Sequence, residues 1–120
     1  MHNIMLFNAD DRPFDVASIN RIFQSENGFH DVRFNEPGGA VIEADYVEPD
    51  DSTIVGLSGN RNRISLSGTS DATFHAALIL QRNLETPLRI IDTEYSFDLI
   101  LRDYPDAETL RAAIANAQAS

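Results

Sequence analysis

The sequence predicts an α+β fold: a mainly antiparallel sheet of about five to seven strands with three helices, in the order β-α-β-β-β-β-α-β-β-α. Three observations carry that expectation. Three segments repeat apolar residues at three- and four-residue spacing behind a capping residue, as surface helices do. Between the first two of them lies a run of short segments of strand character, punctuated by Gly, Pro, Asn and Asp, which reads as consecutive strands joined by tight turns. Those turns leave no room for crossover helices, so a doubly wound parallel sheet is not expected.

The elements follow in order. Ile4-Met5-Leu6-Phe7 is a continuous apolar run, read as a central strand buried on both faces. Asn8 to Pro13 is a polar loop. A helix over about 16–26 is signalled by Asp15 as N-cap, by Phe14 and Ile19 as a hydrophobic staple, and by the stripe Val16, Ile19, Ile22, Phe23. Gly28 suits the left-handed position after such a helix, and Phe29 is placed to fold back on Phe23. Residues 31–35 alternate as a strand, and Pro37-Gly38-Gly39 interrupt the chain.

In residues 41–47, Ile42, Ala44 and Tyr46 share one face, with Glu43 and Asp45 on the other. Pro49-Asp50-Asp51-Ser52 forms a turn. Residues 53–58 and 63–68 read as a hairpin around Gly59-Asn60-Arg61-Asn62, with Gly and Asn supplying the positive φ. Leu-Ser-Gly occurs once in each arm, a symmetry of the hairpin and not a domain repeat.

Ser70 is the expected cap of a helix over about 71–84, apolar over more than half its circumference through Phe74, Ala77, Leu78, Ile79, Leu80 and Leu84. Residues 88–91 and 95–101 read as two strands, the second with Tyr95, Phe97, Leu99 and Leu101 on one side. Pro105-Asp106 opens a last helix carrying Leu110, Ala113, Ile114 and Ala117 on one face.

The 120 residues, 42% of them hydrophobic, suffice for one domain with its own core, so a single α+β domain over 1–120 is expected. The absence of Cys excludes disulfides, thiolate chemistry and Cys-based metal sites. All the basic residues are Arg; without Lys there is no Schiff base, no Walker-type lysine and no Ser-x-x-Lys. Gly56-Leu57-Ser58-Gly59 lacks the spacing of a nucleophile elbow. No cofactor is expected. No apolar stretch is long enough to span a membrane or to form a signal-peptide core, so a cytoplasmic location is expected. A net charge of −10 repels phosphate backbones and anionic lipid, which argues against nucleic-acid and membrane partners.

The charge is uneven. Residues 1–60 carry eleven carboxylates against three Arg, and no base lies between Arg33 and Arg61. With no catalytic motif present, this asymmetry is the leading functional signal. It points to a non-catalytic acidic interaction module of inhibitor or immunity type, an analogy of size and charge, binding a basic protein. Its expected contact face is Glu43, Asp45, Glu48, Asp50 and Asp51, with Arg61 beside Arg63 as the basic spot at the hairpin tip.

The alternative is a small enzyme, or a ligand- or cation-binding domain, using His30, Asp31, Glu43 and Asp45. Glu43 and Asp45 lie on one side of one strand, roughly 6.5–7 Å apart at Cα, a spacing open to two-carboxylate hydrolysis or to a hard cation. The plainer reading of that pair is a solvated strand face. His75 reads as a helix-face residue, and Gly68-Thr69-Ser70 as a cap and not an anion cradle, because Asp71 would repel an anion.

Overall fold

The computed structural model describes residues 3–34 and 41–119. Its elements are β1 (Asn3–Asn8), α1 (Val16–Ser25), β2 (Phe29–Phe34), β3 (Ile42–Glu48), β4 (Asp51–Leu57), β5 (Ile64–Ser67), α2 (Asp71–Arg82), β6 (Leu88–Asp92), β7 (Asp98–Ile100), a 3-10 turn (Leu101–Asp103) and α3 (Ala107–Ala119). The predicted order of strands and helices is the observed one. All seven strands form one sheet in the order β2-β3-β4-β5-β1-β6-β7, and every neighbouring pair is antiparallel.

The helices bury one face of the sheet. Ile4, Leu6, Ile42, Ala44, Val55, Leu57, Ile64, Leu66, Leu88 and Ile90 from the strands pack in one cluster with Ile19 and Phe23 of α1, Phe74 and Leu80 of α2, and Leu110 and Ile114 of α3. The local signals for α1 act as expected. Asp15 accepts the Ser18 N–H at 3.2 Å, and Phe14 and Ile19 are both buried. Phe29 returns to Phe23, their ring centroids 5.1 Å apart, and Tyr46 extends the stack by another 5.1 Å.

Gly28 is needed here twice over: its φ is +99°, and a Cβ would lie 2.6 Å from the Tyr46 ring. It stands beyond an extended C-cap, Glu26, whose N–H reaches the Ile22 carbonyl.

Several expectations give way, each for a tertiary reason. The run Ile4–Phe7 is not buried on both faces: Ile4 and Leu6 are buried, while Met5 and Phe7 on the helix-free face are half-buried. Between His30 and Arg33 the β2–β3 register shifts, and Asp31 sits in the left-handed region at φ 54°, so β2 is bulged and does not alternate cleanly. In the 58–63 turn the positive φ falls on Arg61, because the Asn60 side chain accepts from Ser58 Oγ and the Asn62 N–H and so fixes the chain before it.

Ser70 makes no side-chain cap. Asp51 takes that role from the β3–β4 turn, accepting the Ala72 N–H at 2.9 Å. Tyr95 to Phe97 are not strand: both Asp92 carboxylate oxygens accept from Ser96, closing a turn that leaves Tyr95 exposed at φ 55° and shortens β7. The Pro37-Gly38-Gly39 break and Glu36 lie outside the described residues.

Candidate functional site

The acidic segment of β3 and its turn divides by strand parity. Glu43 and Asp45 project to the helix-free face, where Arg33 of β2 lies across them: its Nε is 2.8 Å from Glu43 Oε1 and one Nη is 3.2 Å from Asp45 Oδ1. The other Nη donates to the Asp31 carbonyl at 2.9 Å. The hydrogen bond to Glu43 leads the effects that raise the Arg33 pKa further above its ordinary value. His30 is the register partner of Asp45 and is exposed, and Asp31 meets Arg33 through its backbone carbonyl. Glu43 and Asp45 thus hold a resident cation, and the paired carboxylates are not open. Among the described residues no three His, Asp or Glu side chains come together as a metal site.

Glu48 and Asp51 point the other way, under α2. Glu48 Oε2 lies 2.7 Å from His75 Nδ1 and accepts the Tyr46 hydroxyl at 3.1 Å. Burial is the main reason that the Tyr46 pKa is pushed up to about 12, with the Glu48 hydrogen bond second. The Ala72 N–H holds the Asp51 carboxyl below its ordinary range. The chain's own carboxylate therefore occupies the α2 N-terminus, the position an external anion would take. Asp50 is exposed in the turn between them. Arg61 lies beyond the far end of β4, roughly 20 Å from that turn at the rise of an extended strand. The predicted contact set is not one patch: Glu48, Asp50 and Asp51 stay together, Glu43 and Asp45 turn to the open face, and Arg61 sits at the opposite end.

The topology gathers a different acidic group. The β3–β4 turn, the C-terminal end of β5 leading into α2, and the C-terminal end of β6 all lie at one end of the sheet. Glu48, Asp50, Asp51, Asp71, Asp92 and Glu94 therefore share that end. β4 and β6 are three strand spacings apart, roughly 14 Å. Arg111 of α3 is the arginine among them. Its Nη2 is 2.8 Å from Asp71 and 3.2 Å from the Thr69 carbonyl, and its guanidinium stands 4.8 Å over the Phe74 ring.

Beside Arg111 opens a cavity of about 420 Å³. Ile4, Phe74, Phe97 and Ile114 give it an apolar floor; Asp92, Glu94, Ser96 and Gln118 supply polar walls. A second groove of about 500 Å³ crosses the helix-free face, where Gly56, Ser65 and Ser67 leave a shallow valley beside Glu43 and Ile54.

Sequence reasoning passed over Asp92, Glu94 and Arg111, and read Asp71 only as a charge that would repel an anion. One signal was legible for Asp92, a carboxylate on the same strand face as the apolar Leu88 and Ile90. The partnership of His75 with Glu48, separated by 27 residues, had none. No protein-family model, curated protein or solved structure matches the chain.

Proposed function

We propose that this chain is a non-catalytic acidic interaction module that docks a basic protein through the end of the sheet bearing Glu48, Asp50, Asp51, Asp71, Asp92 and Glu94. The observation that carries the reading is the concentration of those carboxylates from three separate segments around one arginine and one cavity. Glu43 and Asp45, by contrast, share Arg33, Asp98 lies against Arg89, and Glu26 against Arg82. A surface with net negative potential steers a basic partner and raises its association rate, most strongly at low salt. An inhibitor or immunity-type role fits such a module, whose task is to cover a basic surface.

The test is to isolate basic binding proteins from the source cell and titrate each against the wild-type chain and an Asp50→Asn, Asp71→Asn, Glu94→Gln variant. The expected result is an affinity that falls as ionic strength rises to the physiological value, and at least about tenfold weaker binding by the variant. Affinity unchanged by salt, or equal for the two chains, overturns the reading.

A further inference from the structure

The cavity at the acidic end contains a group that general electrostatic docking does not require. Asp92 is 4% exposed. One carboxylate oxygen accepts the Ser96 N–H at 2.7 Å and the other accepts the Ser96 hydroxyl; Gln118 Nε2 in turn donates to Ser96 Oγ at 2.9 Å. Among the described residues, every group bound to Asp92 is neutral. A carboxylate withdrawn from water is costly until a cation or a full set of donors meets it. Asp92 also lines the cavity, which gives a cation room to approach it.

Arg111 on the far wall is already engaged by Asp71, the Thr69 carbonyl and the Phe74 ring. What remains is an apolar trough, floored by Ile4, Phe97 and Ile114, with a buried carboxylate on its wall. Its volume of about 420 Å³ falls in the size range of small-ligand sites, and its lining mixes apolar and polar side chains in nearly equal number.

We infer that the cavity receives a cationic alkyl group, the guanidinium or ammonium of an arginine or lysine side chain presented by the basic partner, with Asp92 as counter-ion. This rests on the docking reading and names the group that anchors it. The stem of such a side chain covers the apolar floor while its head reaches the carboxylate. Arginine is the better fit. Its planar fork offers paired donors to a carboxylate, and it stacks on aromatic faces, as Arg111 already does on Phe74.

The experiment titrates the full chain with N-acetyl-arginine amide, N-acetyl-lysine amide and the neutral isostere N-acetyl-citrulline amide, following backbone amide shifts. Saturable shifts within 92–97 and 111–118 are expected with the two cations, stronger with arginine, and none with citrulline. Asp92→Asn should weaken arginine binding at least about tenfold, the loss expected for a charge-assisted hydrogen bond. Ala115→Phe fills the cavity from the exposed side of α3 without touching Asp92 and should do the same, so it decides the matter if Asp92→Asn disturbs the fold.

Citrulline binding as well as arginine, no saturable shift with either cation, or undiminished binding by Ala115→Phe overturns the inference. The two readings fail separately. A basic protein that docks on the acidic end while arginine amide leaves the cavity unmoved removes this inference alone. Arginine amide bound in the cavity, with no basic protein docking, removes the docking reading and leaves a small-molecule site.

Discussion

Met5 and Leu6 are adjacent on β1 and live in different solvents. Leu6 faces the helices and is fully buried among Ile64, Ile90 and the rest of the core; Met5 faces the helix-free side between Ser65 and Ile91. The same division runs through β3, with Ala44 and Tyr46 under the helices and Glu43 and Asp45 outside. The two faces also handle charge differently. On the open face, carboxylates are answered across the strands, by Arg33 and by Arg89. At the end of the covered face, carboxylates hold the protein's own parts: Asp51 caps α2, Glu48 holds His75 and Tyr46, and Asp92 closes a turn. Glu43, Asp45 and Asp98 each lie against an arginine of a neighbouring strand, whereas six carboxylates gather at the sheet end with Arg111; that density is why the proposed function is placed at the end.

Four measurements sharpen or break this contrast. The largest effect is expected on β1 itself. Leu6→Ala should cost about 2–5 kcal/mol in urea unfolding, as a cavity in the closed core, and Met5→Ala less than about 1 kcal/mol. Equal costs would mean that the open face is covered too. Gly28→Ala comes next at about 1–3 kcal/mol, from the positive φ and the Tyr46 ring, and its unfolding midpoint should drop accordingly.

Arg33→Met tests the open face. Arg33, Glu43 and Asp45 are all substantially solvated, so the loss should stay within about 1 kcal/mol. A double-mutant cycle with Glu43→Gln should return a coupling of similar size; a coupling near zero would make the ion pair ornamental.

The pH dependence is the subtlest effect. Asp15, Asp51 and Asp106 have their pKa values lowered, led respectively by hydrogen bonds from the Ser18 side chain, the Ala72 N–H and the Thr109 N–H. Their stabilisation is complete above the ordinary aspartate value near 4 and is lost as pH falls through the lowered folded values. Asp51→Asn should flatten that acid limb, read as a smaller loss of stability in urea unfolding as pH is lowered. At the alkaline end Tyr46 acts with the opposite sign. Its folded pKa of about 12 exceeds the ordinary 10.0, so stability falls as pH rises between the two. Tyrosinate absorbance should show one of the three tyrosines ionising late.

What the sequence determined by itself is what short range controls. The Asp15 cap, the Phe14 and Ile19 staple, the return of Phe29 onto Phe23 and the two-residue alternation of β3 each depend on residues a few positions apart, and helical or strand geometry alone brings those together. They were legible, and with them the element order. Tertiary structure decided the rest. Arg33 meets Glu43 and Asp45 only because β2 pairs with β3, and Asp51 caps α2 across 21 residues. The acidic end exists because β4, β5, β1 and β6 are neighbours in the sheet though not all consecutive in the chain. The charge count of a segment says how many carboxylates there are. The strand register says which cation, helix terminus or cavity each one meets, because electrostatic partners are chosen by distance in space and not along the chain.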